Sequence, residues 1–198
     1  MNFISTLAVA MGVSWASGLN LYAGVATLGL LGRFGHLHLP GDLQVLTSWW
    51  VIGVASALYS VEFVADKIPI VDSTWDVIHT FIRIPAGAIL AAASFGDFDK
   101  SLQVIAFLVG GGLALSSHGT KAATRAVLNT SPEPFSNIAA STIEDVIAIG
   151  STLASVLLPI LALVIVAVGV LISALVLPKI FRFFRKVFTS IKRVFSFG

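Results

Sequence analysis

The longest apolar stretch limits most strongly what this chain can fold into. Between residues 138 and 177, the only charged side chains are Glu144 and Asp145. A single helix of that length would measure about 60 Å, twice the roughly 30 Å hydrocarbon core of a membrane. Pro159 lies near the middle, and a proline interrupts a helix because it has no backbone N–H. The pattern therefore predicts two membrane-spanning helices that meet near residues 157–160.

The rest of the chain is also typical of a membrane protein. Of the 198 residues, 57% are apolar and only 11% are charged, whereas about 25% of the residues in a soluble domain are charged. Further apolar segments cover residues 3–31, 45–64, 77–95 and 102–117. We expect an all-α integral membrane protein with six transmembrane helices, or with five if residues 138–177 form one kinked helix.

The C-terminal segment is basic and amphipathic. Six of the twelve Lys and Arg residues lie in the last 20 positions, and Phe181, Phe184 and Phe188 alternate with them at helical spacing. Such a segment typically lies in the membrane interface and binds anionic lipids, and its position directly after an apolar run argues against nucleic acid as a partner. We expect residues 1–178 to form one transmembrane domain and residues 179–198 an interfacial tail. The excess of positive charge predicts a cytoplasmic tail and, with six spans, two cytoplasmic termini.

A short internal similarity suggests a repeat. The sequence ALYSVE at 57–62 resembles AASTIE at 139–144, and each ends on a glutamate. Two three-helix halves would have opposite orientations, as in many transporters that are built from inverted repeats.

Most polar residues fall in two segments, 61–83 and 116–145, on the side of the tail. One helix face in the first segment carries Asp72, Asp76, His79 and Arg83. One helix face in the second carries His118, Lys121, Arg125 and Asn129. These acid-rich and base-rich stripes either neutralise each other in a helix contact or line a hydrated cavity for a polar or phosphorylated solute.

Several further polar residues are expected inside the bundle. Charged groups at membrane depth are costly unless they are paired or face water, so Glu62, Glu144 and Asp145 should point inward, with Arg83 close to Glu144 or Asp145. Asn20 in SGLNLYAG either bonds to another helix or contacts substrate. Asn137 follows the two prolines of SPEPFSN, where a helix N-terminus would suit an anion.

The strings SGLNLYA, ADKIPIVDSTWDVIHTFIR and HGTKAATRAVLNTSPEPFSN are followed by the Glu144-Asp145 pair and a basic C-terminus. Together they resemble the bacterial membrane proteins grouped as domain of unknown function 4126, over nearly the whole chain. The resemblance implies a polytopic membrane fold, placed in the bacterial inner membrane, and implies nothing about chemistry.

Three functions are compatible with these residues. The first is a transporter or channel for a small anionic or phosphorylated, even lipid-linked, solute, with the intramembrane acids as coupling groups. The second is an enzyme acting on a lipid phosphate through His79 or His118; no catalytic signature supports it, so an enzyme is the weaker hypothesis. The third is a membrane scaffold, and a homo-oligomer is compatible with all three.

No cofactor or metal is expected from the sequence. The chain has no cysteine and no run such as H-E-x-x-H. Acids at positions 62, 66, 72 and 76 are close enough in sequence to hold Mg²⁺ with a substrate phosphate, but their spacing is not specific for a metal site.

Overall fold

The structure, a computed structural model, is helical. It describes residues 2–130 and 134–195, except for the side chains of residues 69, 70, 134, 186–188 and 190–195. The helices are α1 (Phe3–Phe34), a 3₁₀ helix (Gly41–Thr47), α2 (Trp49–Ala65), α3 (Pro69–Ser94), α4 (Lys100–Leu128), α5 (Pro134–Leu157) and α6 (Pro159–Phe195).

Five of these helices are long and apolar enough to cross a membrane, namely α1, α3, α4, α5 and α6. The 3₁₀ helix and α2 meet that test only as a pair, which is bent by 74°. The expectation of an all-α, multi-pass membrane protein is therefore confirmed.

The break at Pro159 is confirmed. Helix α5 ends at Leu157 and α6 begins at Pro159. Ala154 and Ala162 pack in one cluster with Ala8 of α1, although they lie on opposite sides of the break. The chain therefore reverses direction at Leu158, and α5 and α6 run side by side in opposite directions.

Helix α1 also folds back on itself. Asn20 has non-helical backbone angles, with φ −149° and ψ 100°. Beyond it, the Cβ position of Gly24 lies 3.9 Å from Cβ of Ala16, although eight residues of straight helix would separate them by about 12 Å. Helix α1 is thus a hairpin of two half-length helices, and it lies at the centre of the bundle in contact with every other helix.

The hairpin determines where the two termini lie. We call the two ends of the bundle the Phe95 end, where α3 ends, and the Asn129 end, where α4 ends. The ring of Phe3 lies 5.9 Å from that of Phe95, whereas Phe181 of α6 shares a cleft with Ala123, near the end of α4. This contradicts the prediction that both termini lie on one side, because that prediction counted α1 as one crossing.

Two other expectations concern the halves and the tail. Helix α1 folds back whereas α4 runs the whole length of the bundle, so the structure gives no support to two similar inverted halves. Helix α6 continues past Pro178 to Phe195 without a break at the predicted boundary of the tail. Residues 196–198 and most side chains after residue 185 lie outside the described part, so an interfacial tail stays a prediction.

Cysteine labelling tests the hairpin, and the chain has no native cysteine to interfere. A cysteine in a short extension before the first residue and one at Asp97 are both expected to react with an impermeant maleimide from the same side of a vesicle. A cysteine at Arg182 should react only from the opposite side. If the extension reacts from the same side as position 182, α1 is a single crossing and the hairpin is wrong.

Candidate functional site

The candidate site is built around the break in α1. Asn20 Oδ1 accepts a hydrogen bond from the backbone N–H of Ala23, at 2.9 Å, and so caps the second half of the hairpin. Asn20 Nδ2 donates to Asp145 Oδ1 at 2.8 Å. The carbonyl of Leu19, which the break frees, accepts a hydrogen bond from Lys121 Nζ at 3.1 Å. The turn of the hairpin is therefore held by charged side chains of α4 and α5.

A glycine brings α1 close enough for these contacts. A Cβ at Gly18 would lie 2.0 Å from Ser117 Oγ and 2.3 Å from the carbonyl oxygen of Ala114. Ser117 Oγ donates to the carbonyl of Trp15 at 2.7 Å. Gly18 and Ser117 therefore position the Asn20 break against α4.

Arg83 lies at the centre of the first group of ion pairs. Its side chain is fully buried; Nη2 donates to Glu62 Oε1 at 2.8 Å and Nη1 donates to Asp76 Oδ1 at 3.1 Å. Nη1 also lies 3.2 Å from His118 Nδ1. The sequence placed Arg83 against Glu144 or Asp145, which is wrong: the turn after α2 brings Glu62 to it instead.

Lys121 and Arg125 form the second group of ion pairs. Lys121 Nζ lies 2.5 Å from Asp66 Oδ2, 3.6 Å from Glu144 Oε2 and 3.8 Å from Asp76 Oδ1. Arg125 donates two hydrogen bonds to Glu144, from Nη2 to Oε2 at 2.6 Å and from Nε to Oε1 at 3.3 Å. The bidentate geometry is the strong form of this pair.

Two asparagines complete the contacts. Asn137 Oδ1 and its carbonyl both accept hydrogen bonds from Arg125 Nη1, while Asn137 Nδ2 donates to the carbonyl of Asp66 at 3.3 Å. Helix α5 begins at Pro134, so Asn137 lies within its first turn and binds a cation rather than an anion. Asn129 Nδ2 donates to Asp72 Oδ2 at 3.2 Å.

The two histidines are each bonded through both ring nitrogens. His79 Nδ1 lies 2.9 Å from the carbonyl of Trp75, so it carries the proton, and Nε2 lies 3.2 Å from the Tyr22 hydroxyl. His118 Nδ1 faces the donor Arg83, so Nε2 carries the proton and donates to Thr80 Oγ1 at 2.8 Å. The Arg83 donor requires a neutral His118 ring, whereas the Tyr22 hydroxyl beside His79 Nε2 can donate or accept.

We define the buried ion network as the charged members of this site. It consists of Glu62, Asp66, Asp72, Asp76, Arg83, Lys121, Arg125, Glu144 and Asp145. All are buried except Glu144, whose side chain is 13% exposed. The acid-rich and base-rich stripes thus pair with each other, and every residue predicted for the site except His79 lies in the network or bonds to one of its members.

The network contains more acid than base. Six carboxylates face three cations, an excess of three negative charges when all are ionised. Lys67 lies at the edge of the network, and its Nζ donates hydrogen bonds to the carbonyl of Phe63 at 2.9 Å and to Ser141 Oγ at 3.4 Å. Its partial burial lowers the pKa of the Lys67 ammonium, against the opposing effect of Asp145 and Asp66.

Part of this excess is visible as unpaired oxygen atoms. Within the described residues, one buried oxygen on each of five carboxylates has no hydrogen-bond partner: Glu62 Oε2, Asp66 Oδ1, Asp72 Oδ1, Asp76 Oδ2 and Asp145 Oδ2. Buried polar atoms are normally paired, because each unpaired one costs about 1–3 kcal/mol. The network is thus only partly satisfied by its own side chains.

A cavity of about 180 Å³ reaches the network from the side. It lies between α1, α4, α5 and α6, and Lys121 and Glu144 are among its lining residues. The rest of the wall is formed by small, hydroxyl and apolar side chains, including Ser117, Thr120 and Gly169. Glu144, the most exposed acid of the network, therefore lies in the wall of this cavity.

Some residues of the site are absent from the sequence prediction. Asp66, in the D-K-x-P turn after α2, was named in the sequence only among four acids that could hold Mg²⁺ and not as a site residue. Tyr22 and Thr80 bind the histidines but resemble ordinary polar residues of a helix. Leu19 could not be predicted from the sequence, because it contributes only its backbone carbonyl.

Comparison with known proteins gives one result. Neither the curated proteins nor the solved structures include a match to the chain. A family model described as "Domain of unknown function (DUF4126)" matches residues 7–179. That match covers most of the chain and includes every residue of the buried ion network, so the protein belongs to the DUF4126 family.

Proposed function

We propose that the protein transports small cations across the membrane through the buried ion network. The observation that carries this proposal is the excess of buried carboxylate at a broken helix. Unpaired acids inside a membrane protein are expensive, and they usually mark ion or proton pathways.

The hairpin of α1 supports the same proposal. Non-helical backbone at membrane depth is tolerated only where it is buried in protein or lines a cavity. In many secondary transporters, helices are broken at the substrate site, and the freed backbone carbonyls bind cations. Leu19 and Asn20 place such a break beside Lys121 and Asp145.

The pairing of the basic residues argues for a cation rather than an anion. Binding of a phosphorylated solute at Lys121 or Arg125 would have to displace Asp66 or Glu144, which already hold them. It would also add negative charge to a site with an excess of acid. We therefore replace the anionic or phosphorylated solute, favoured by the sequence, with a cation.

The two other functions have weaker support. An enzyme that uses a histidine as nucleophile needs a free ring nitrogen, but His79 and His118 each have both nitrogens bonded. A scaffold would need its buried acids to be balanced by buried bases, whereas the network has six acids and three bases. Neither function uses the break in α1.

The basic residues also suggest an orientation. Lys67 and the six basic residues of the C-terminal segment belong to the Asn129 end, whereas Arg33 and Lys100 belong to the Phe95 end. By the positive-inside rule, the Asn129 end faces the cytoplasm of the inner membrane, and the tail binds anionic lipids there. The N-terminus then faces the opposite side.

Flux through the purified protein in liposomes tests the proposal. We expect proteoliposomes to take up Na⁺ or Mn²⁺ faster than protein-free liposomes, as followed by ion-sensitive dyes inside the vesicles. Phosphate uptake should equal that of protein-free liposomes, because no cation of the network is left to bind it. Phosphate uptake without cation uptake would restore the anion hypothesis, and no uptake of any of these ions would favour the scaffold.

A further inference from the structure

Three aspartates of the buried ion network come together at one point. Asp66 follows α2, while Asp72 and Asp76 lie one turn apart on α3. One carboxylate oxygen from each lies within 4.8 Å of one from each of the others. Oxygen ligands 2.3–2.6 Å from one Ca²⁺ ion are at most about 5 Å apart, so this spacing fits a single cation.

Each of these carboxylates is held through one oxygen only. Lys121 binds Asp66 Oδ2 at 2.5 Å, Arg83 binds Asp76 Oδ1 at 3.1 Å, and Asn129 binds Asp72 Oδ2 at 3.2 Å. Metal ligands are commonly oriented in this way, by a hydrogen bond to the atom that does not bind the metal.

The second oxygen of each carboxylate is the unexplained feature. Asp66 Oδ1, Asp72 Oδ1 and Asp76 Oδ2 have no hydrogen-bond partner within the described residues, although the three residues are 1%, 0% and 3% exposed. The nearest cation in an ion pair with Asp72 Oδ1 is Arg125 Nη1, at 3.9 Å, beyond hydrogen-bond distance. Three buried, fixed carboxylates therefore each keep one oxygen that the protein itself does not use.

We propose that Asp66, Asp72 and Asp76 bind one divalent cation of the kind that prefers oxygen ligands, such as Ca²⁺, Mg²⁺ or Mn²⁺. Two charges would largely cancel the excess of three that the network carries when all its groups are ionised. The nitrogens of His79 and His118 are occupied and the chain has no cysteine, so a softer metal lacks ligands here. This inference deepens the proposed function, since the ion would be a transported cation, but its test needs no transport.

Mn²⁺ binding to the full-length protein in detergent tests the site. Electron paramagnetic resonance should detect one saturable Mn²⁺ per chain. Asp72→Asn should weaken binding at least tenfold, because it removes one anionic ligand, while Arg125, whose Nη1 lies 3.9 Å from Asp72 Oδ1, keeps its closer ion pair with Glu144. The matched control is Asp97→Asn, which changes an exposed acid at the other end and should bind Mn²⁺ like the wild type.

A second measurement keeps the proposal testable if Asp72→Asn does not fold. A nitroxide at Val71→Cys, which is 40% exposed, should be broadened strongly by bound Mn²⁺. A nitroxide at Phe34→Cys, which is 63% exposed at the Phe95 end, should not be. Broadening only at position 34, absence of saturable binding, or unchanged binding in a folded Asp72→Asn protein would each overturn the proposal.

The binding and flux results separate the two proposals. Saturable Mn²⁺ binding at these aspartates without any cation uptake would retain the metal site and remove the proposed function. Uptake of Na⁺ without Mn²⁺ binding would retain cation transport and remove the divalent site.

Discussion

Replacing Arg83 with glutamine is expected to lower the free energy of unfolding by about 3–5 kcal/mol. The Arg83 side chain is fully buried, and it bonds Glu62 at 2.8 Å and Asp76 at 3.1 Å. Glutamine keeps two N–H donors but removes the charge, so two buried carboxylates lose their closest cation. The cost comes mainly from these unpaired acids and only in part from the lost bonds.

A second substitution separates these causes. Glu62→Gln in the Arg83→Gln background should recover more than half of the lost stability, because it removes one of the two unpaired charges. The exposed control, Arg182→Gln, should change stability by less than about 0.5 kcal/mol, since its main-chain contact to Pro178 faces solvent. Unfolding by a denaturing detergent measures all three variants, and equal stability of Arg83→Gln and wild type would contradict the ion-pair assignment.

The features of the fold and site that could be predicted from the sequence are those that depend on local patterns. The break between α5 and α6 follows from Pro159, whose missing N–H acts locally whatever the tertiary structure. The shared faces of Asp72 and Arg83, and of Lys121 and Arg125, follow from helical periodicity. The cost of charge within a membrane was enough to predict that these residues point inward.

The fold of α1 could not be predicted in this way. The segment SGLNLYAG contains no proline, and an Asn within an apolar stretch is common in straight helices. Asn20 breaks the helix because Asp145, Ala23 and Lys121 bond to the atoms around it, and these contacts exist only in the folded bundle. Because the prediction counted α1 as one membrane crossing, it placed the N-terminus on the wrong side.

The partners within the buried ion network were equally inaccessible to the sequence. Periodicity shows which residues share a face but not which face of another helix lies opposite. Arg83 therefore was expected near Glu144, whereas the turn after α2 brings Glu62 to it and leaves Glu144 to Arg125. Asp66 was considered only as one of four acids close enough in sequence to hold Mg²⁺, because an acid in a turn is normally exposed to solvent.

The direct test of the account is cation uptake by the Asp72→Asn protein in liposomes. Asp72 is buried, its Oδ2 accepts a hydrogen bond from the neutral Asn129, and its Oδ1 has no hydrogen-bond partner within the described residues. Asparagine has nearly the same shape and can still accept the bond from Asn129, so the folded structure should persist while the negative charge is lost. Uptake should therefore fall at least tenfold.

Two controls make that result specific. Asp97→Asn, in which the exposed acid lies at the Phe95 end, should transport at the wild-type rate. Wild type and both variants should elute as the same species in size-exclusion chromatography, so that a loss of uptake reports the site rather than misfolding. Cation uptake is expected in the wild type and Asp97→Asn but not in Asp72→Asn; wild-type uptake by a folded Asp72→Asn protein would contradict cation transport through the buried ion network.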